Sequence, residues 1–342
     1  MIKLQCLTSL SLAELENHIQ SLGQPAYRAR QIFHGVYRQG KSDFSEFTDL
    51  PTTLRKKLAE KFVINPLQIE QAVNSSDGTI KYLFRLVDGN YIETVLIPSA
   101  GRWTVCLSTQ VGCKFRCAFC ASGLKGFKRN LSTGEIVSQV LTLKYRLGHP
   151  VTNLVFMGMG EPLDNLENVV KAIKILNDKQ GLDLGARRMT VSTAGVIPGI
   201  KKLKDLGLQI NLSLSIHSAL DRQRTLLMPI NKKYPLAELV AAAEDYLKGG
   251  GRQLTLEYIV IKNLNDGLYE AEGLATLARR LRAKVNLIAY SPVPELPYAR
   301  PTPAEVSRFE AWLAERKVRV TIRESKGVDI AAACGQLAGK FQ

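Results

Sequence analysis

The spacing of apolar side chains divides the chain into three stretches. In the first, Leu12, Leu15 and Ile19 recur at helical intervals, and the pattern stops at Gly23, a residue suited to a helix C-cap. A second helical pattern carries Ile32, Phe33, Val36 and Tyr37, and a third runs through LPTTLRKKLAEKF, so residues 1–72 read as a small helical domain. From Thr79 the period shortens to two across TIKYLFRLVDGNYIETVLIP, with Asp88-Gly89-Asn90 as the turn; residues 73–100 read as a β-hairpin extension. Beyond residue 100, short β-branched runs at 104–110, 153–158, 188–193, 209–215, 253–260 and 284–290 alternate with helical patterns, and a further strand-like run lies at 318–323. Repeated β/α units imply a parallel sheet covered on both faces, compatible with a doubly wound sheet or a partial barrel. Chemically capable residues recur just after the strands: a cysteine loop after the first, Gly158-Met159-Gly160-Glu161 after the second, Ser192-Thr193 ending the third, and Ser215-Ile216-His217 after the fourth. That placement favours a barrel, whose site is built at the strands' C-terminal ends. The expected fold class is α/β: a partial (β/α)6 barrel over 101–342, with the helical domain and short β extension before it.

Composition narrows the class. With 342 residues, 45% of them hydrophobic, the chain can bury a full core, which excludes disorder. No uninterrupted apolar run reaches about 18 residues, which argues against a spanning helix, and the N-terminal sequence lacks the pattern of a secretory leader. A cytoplasmic protein is expected, and there six cysteines serve as ligands or catalysts rather than structural disulfides. The net charge of +15 favours a polyanionic partner. Residues 1–100 carry 11 basic and 10 acidic side chains, whereas 101–150 carry 8 basic ones and only Glu135. That basic segment also holds four of the six cysteines, an arrangement that suits a nucleic-acid substrate near a reactive centre.

Cys113, Cys117 and Cys120 stand in GCKFRCAFC, a C-x3-C-x2-C spacing on a loop after a strand. Three thiolates are one short of a closed structural zinc or of an ordinary iron-sulfur cluster. A 4Fe-4S cluster held by three keeps one iron open, able to chelate S-adenosyl-L-methionine and pass it an electron. Zinc remains the alternative, with His217 or His149 as a fourth ligand. Taken singly, Cys106 reads as core, Glu93 as an exposed strand residue and Cys334 as packing; Cys6, His18, His34 and His149 read as packing or surface. Gly158 and Gly160 lack the Lys-Ser/Thr that would complete a P-loop.

The three-cysteine motif with Phe119 resembles the radical S-adenosylmethionine superfamily. LGQPAYRARQIFHGVYRQG, CLSTQVGCKFRCAFC, GFKRNL, FMGMGEPLDNLENVVKAI, TVSTAGV and DIAAACGQLAG together resemble, more narrowly, the RlmN/Cfr family of RNA adenosine methyltransferases. The resemblance implies Cys113, Cys117 and Cys120 as ligands of a 4Fe-4S cluster. It implies Gly160 and Glu161 at the amino group of S-adenosyl-L-methionine, with Ser192, Ser215, Ile216 and His217 at other cofactor positions. Ile216 replaces the usual Leu, and Ser291 stands where members often have Asn; a hydroxyl offers fewer hydrogen bonds than an amide. It further implies that Cys334 is methylated by one S-adenosyl-L-methionine and is converted to a methylene radical by the 5'-deoxyadenosyl radical from a second. The methylene then joins the adenine ring, after which Cys106 releases the product by disulfide formation and Glu93 takes the ring proton. The implied activity is methylation of C2 of an adenosine in 23S rRNA, with tRNA as a further substrate, and Cfr-type methylation at C8 as the alternative. Implied partners are RNA, contacted by the N-terminal domain, and an electron donor such as flavodoxin or ferredoxin, with the enzyme a monomer that does not bind membrane. A non-enzymatic iron-sulfur or zinc RNA-binding module would leave the Gly-Met-Gly-Glu loop and the second cysteine pair without a use. A radical enzyme acting on a protein or metabolite would leave the basic segment unexplained.

Overall fold

The computed structural model describes residues 4–339. Three helices, α1 (Leu12–Ser21), α2 (Tyr27–Arg38) and α3 (Thr52–Ala59), open the chain, and the short strands β1 (Gln5–Cys6) and β2 (Phe62–Val63) pair in parallel beside them. Ser11 and Glu14 close a reciprocal capping box at the start of α1. This unit docks on α5 (Thr133–Leu141), which follows the four-residue α4 (Ala121–Leu124): Gly134 N donates to Ser9 Oγ at 2.9 Å, and Thr8 Oγ1 lies 3.2 Å from Ser138 Oγ. Cys6 packs against Gly134, where a methyl group would meet its sulfur at 2.4 Å, so its thiol is part of the seam.

Antiparallel strands β3 (Gln68–Asn74), β4 (Ile80–Arg85) and β5 (Tyr91–Ser99) lead into β6 (Arg102–Cys106). The extended segment begins earlier than the change of period at Thr79 implies. β3 is an edge strand with one face open to solvent, so only Ile69, Ala72 and Val73 interrupt its polar positions. The run at 104–110 also breaks: after Cys106 the chain leaves the main sheet, and β7 (Gln110–Gly112) pairs with β8 (Phe127–Asn130) as a separate two-stranded ribbon. Gly112 makes that ribbon possible, because it sits at φ +73° and a Cβ there would lie 1.7 Å from Gly126 O.

From β6 onward the main sheet is parallel. Its order continues through β9 (Asn153–Phe156), β10 (Met189–Thr193), β11 (Asn211–Ser215), β12 (Thr255–Val260), β13 (Lys284–Ala289) and β14 (Val320–Arg323). The crossovers after β9 run through α6 (Leu166–Asn177), α7 (Ile197–Lys204), α8 (Asp221–Leu227) with α9 (Leu236–Lys248), α10 (Leu268–Arg280) and α11 (Pro303–Glu315). Side chains at or just beyond the C-terminal ends of β9 to β14 line one cavity: Met157, Ser192, Ser215, Ile259, Ile288 and Arg323. Six successive strands meet around one space only if the sheet curls, and β14 and β3 remain as unjoined edges. The fold is therefore an α/β partial barrel, as the strand-end chemistry predicted, rather than a flat doubly wound sheet.

Candidate active site

The cysteine loop is held from both ends. Cys113 N donates to Gly126 O at 3.2 Å, Ala118 N to Leu227 O at 2.9 Å, and Ala121 N to Gly335 O at 2.7 Å, the last tying it to the C-terminal segment. Cys113, Cys117 and Cys120 line the barrel-end cavity together with Gly160, Glu161, Ser192, Ser215, His217 and Cys334. Burial pushes all three loop thiols up, Cys113 to about 12, so their thiolates require a strong positive partner. Among the described residues, no three His, Cys, Asp or Glu side chains converge as a single metal ion requires.

Neither histidine suits zinc. His217 Nδ1 accepts the Ile259 N–H at 3.0 Å, which places the ring proton on Nε2, where a metal would need a lone pair. Burial depresses its pKa to about 3, with Arg224 adding to the shift, so the ring is neutral, and Phe119 packs edge-on against it at 4.8 Å. His149 Nε2 is engaged with Tyr82 Oη at 2.8 Å.

Glu161 opens the turn after β9. Its Oε1 accepts from Leu163 N at 3.0 Å and its Oε2 from Ala194 N at 2.7 Å. Burial nevertheless raises its pKa to about 7. Gly160, at φ +95°, packs on Gln110, which leaves 2.4 Å for a Cβ, and Gln110 Oε1 accepts the Glu161 N–H at 2.9 Å. Ser192 and Ser215 bring their hydroxyls 3.5 Å apart on neighbouring strands. Two expected positions lie outside the cavity wall. Ile216 is fully buried and Ser291 takes a hydrogen bond from Arg300 at 3.3 Å.

A second, smaller cavity joins Cys334 to Cys106, with Met157 and Arg323 on its wall. Cys334 thus faces both cavities. Burial raises the Cys106 thiol to about 12, Cys334 adding to the rise and Arg323 opposing it. Cys106 is paired across the sheet with Val95, Val95 with Lys81, and Glu93 is two residues from Val95; alternation puts all four side chains on one face. The C-terminal segment lies over that face. Glu93 Oε2 accepts from Ala338 N at 2.7 Å and Gly339 N at 2.9 Å, while Oε1 pairs with Lys81 Nζ at 3.1 Å. Lys81 Nζ also donates to Ala331 O at 3.2 Å, so the pair grips the segment on both sides of Cys334.

Sequence reasoning missed Lys81, Arg224 and Glu257, single charges whose burial depends on distant partners, and the half-buried Arg323. It also overstated the free positive charge: Lys114 is paired with Asp164, and Arg129 with Asp88 and, at 2.8 and 2.9 Å, with Glu135.

A curled parallel sheet with a three-thiol loop at its C-terminal rim defines a radical S-adenosylmethionine enzyme. The Radical SAM superfamily model matches residues 107–271, and that of the Ribosomal RNA large subunit methyltransferase N-terminal domain matches residues 6–64. The chain is 43% identical to the dual-specificity RNA methyltransferase RlmN of Nitratiruptor sp. over 98% of both chains. It is also 43% identical to the probable RlmN of Symbiobacterium thermophilum, over 99% of this chain and 92% of that one. A radical SAM methyltransferase from Sphaerobacter thermophilus superposes with a TM-score of 0.95 at 46% identity, covering 98% of this chain and 100% of that one. The chain belongs to the RlmN family of radical S-adenosylmethionine RNA methyltransferases. Its cofactors are a 4Fe-4S cluster and S-adenosyl-L-methionine. The residues present fit both: three half-buried thiols form the donor set of a cluster with an open iron, and the cavity beyond them carries a buried carboxylate oxygen without a partner among the described residues, on Glu257.

Proposed function

We propose that this enzyme methylates C2 of an adenosine in 23S rRNA, and in tRNA as its second substrate, through an S-methylcysteine on Cys334. The observation that carries this reading is that Cys334 lines both the cofactor cavity and the cavity it shares with Cys106. A thiol that takes a methyl group from one side and is resolved from the other needs both exposures. The dual-specificity name of the relatives supports the two RNA classes, and the N-terminal domain supports ribosomal RNA.

Cys113, Cys117 and Cys120 would hold the cluster, and Glu161, with Gly160, Ser192 and Ser215, the cofactor. When bound, these groups supply a methyl cation equivalent and a carbon radical. The chain's own residues do the rest. Cys334 sulfur accepts the methyl group and presents it to the purine; after one hydrogen atom is lost from it to the carbon radical, the methylene carbon bonds to the ring and keeps Cys334 covalently joined to the RNA, and the single electron released as the ring is restored would return to the cluster. Glu93 takes the ring proton. Cys106 attacks the Cys334 sulfur, and the disulfide formed frees the methylated base; a dithiol must reduce it before the next turnover. A low-potential donor such as flavodoxin or ferredoxin supplies electrons to the monomeric enzyme. No helix among the described residues is long and apolar enough to cross a membrane.

The test is nucleoside mass spectrometry of RNA treated with the reconstituted enzyme. Appearance of 2-methyladenosine supports the reading; 8-methyladenosine alone would replace it with the C8 activity.

A further inference from the structure

Glu257 is the one side chain lining the cofactor cavity with a fully buried polar atom that lacks a hydrogen-bond partner among the described residues. It lies on β12, is 4% exposed, and lines the cavity floor. Its Oε1 accepts from Ser213 Oγ at 3.0 Å and from Asn286 Nδ2 at 3.1 Å, which fixes the carboxylate from the strands on either side. Its Oε2 is buried and has no partner. An unsatisfied buried carboxylate oxygen is costly, and native folds retain one where a ligand completes it. Arg323, on the same cavity wall, forms no ion pair with it, so the two charges do not cancel by direct contact.

The position of Glu257 selects the ligand group. It is the register partner of Ser215, whose hydroxyl lies 3.5 Å from that of Ser192, so a polar row crosses β10, β11 and β12. Glu161 and the cysteine loop follow β9 and β6, three and four strands away from β12 in the sheet order, and the functional reading gives that part of the wall to the amino-acid end of S-adenosyl-L-methionine. A carboxylate oxygen accepts only from O–H or N–H. At the other end of the cofactor the donors are the ribose hydroxyls and the exocyclic amine. Hydroxyls match the serine row, and a carboxylate reading ribose hydroxyls recurs in other nucleotide sites.

We propose that Glu257 is a cofactor-binding residue whose Oε2 accepts hydrogen bonds from the ribose hydroxyls of S-adenosyl-L-methionine. This rests on the cavity being the cofactor's, and the test separates the two claims.

Binding of S-adenosylhomocysteine and of S-inosylhomocysteine, which lacks the exocyclic amine, is measured by calorimetry on cluster-loaded protein. Glu257→Gln should weaken both ligands by about 10- to 100-fold, the range for a lost charge-assisted hydrogen bond, with iron content and melting temperature near those of the parent. Ser213→Ala, which loosens Oε1 and leaves Oε2 in place, should weaken them several-fold less. Loss confined to S-adenosylhomocysteine would assign Oε2 to the amine and overturn the ribose contact. Unchanged affinities in Glu257→Gln would overturn the inference, leaving the cavity's assignment intact. Failure of the parent enzyme to bind either ligand would overturn that assignment itself.

Discussion

Arg224 Nη1 donates to Asn231 Oδ1 at 2.5 Å, within a fully buried site behind the cofactor cavity. The same guanidinium donates from Nη2 to Ala194 O at 2.8 Å and Ser215 O at 3.3 Å, the backbones of two cavity-lining residues. Burial lowers its pKa to about 10, and it stays charged throughout the physiological range. Replacing Arg224 by Met leaves one buried and two partly buried acceptors without this donor. At roughly 1 to 3 kcal/mol for each unsatisfied group, with some relaxation, a loss of about 3 kcal/mol is expected. Urea titration of the variant checks it; an unchanged midpoint would show the site to be plastic.

Arg224 also shows where sequence reasoning stops. The cysteine loop and the strand-end motifs were legible because their chemistry is local: three thiols within eight residues, or a Gly-Met-Gly-Glu turn directly after a strand. The alternation of strands and helices gave the parallel core, because buried parallel strands read as short apolar runs. Lys81, Glu257 and Arg323 have no such signature. A single charge in a strand reads as solvent-facing, and its burial follows from partners far along the chain, such as Ala331 for Lys81. β3 was missed for the opposite reason, its polar alternation being that of an edge strand.

Glu161 trades stability for binding. Its folded pKa of about 7 lies above the ordinary 4.5 because of burial, so the fold favours the protonated acid. That preference leaves stability intact below about pH 4.5 and removes it as pH rises through 7. The stability of Glu161→Gln relative to the parent, both without cluster, should therefore rise between these pH values, measured by denaturant midpoints. The same variant should bind S-adenosylhomocysteine about 10-fold or more weakly. A pH-independent stability difference would show that Glu161 is ionised at no cost.

Lys81 and Glu93 brace the Cys334 segment from beneath. In Lys81→Met, the Ala331 carbonyl loses its donor and Glu93 its counter-ion. Deuterium uptake across 331–339 should accelerate about 10-fold or more, in keeping with the loss of a charge-assisted contact, while iron content is retained. Unaltered uptake would mean that the contacts to α4 hold the segment alone.

Free positive charge near the cavities is narrower than the sequence count implies. Arg129 is held between two carboxylates, whereas Lys128 Nζ bonds the neutral Asn90 Oδ1 at 2.9 Å. Substituting Arg116, exposed in the cysteine loop, and Lys128 together by Gln should lower the salt slope of RNA binding by about 1 to 2, and Arg129→Gln should change it by less. Filter binding over a range of salt concentrations decides it, and equal slopes for all three proteins would remove this surface from the RNA path.

The division of labour between Cys334 and Cys106 is the centre of the mechanism. If Cys334 carries the carbon to the base and Cys106 only releases it, cluster-loaded Cys106→Ala should stall after the carbon–carbon bond forms. Supplied with S-adenosyl-L-methionine, a reductant and RNA, it should accumulate a protein–RNA adduct that survives denaturation, and mass spectrometry should place the RNA on the peptide containing Cys334. A folded, cluster-loaded Cys106→Ala enzyme that turns over normally, or that traps no RNA, would contradict the account.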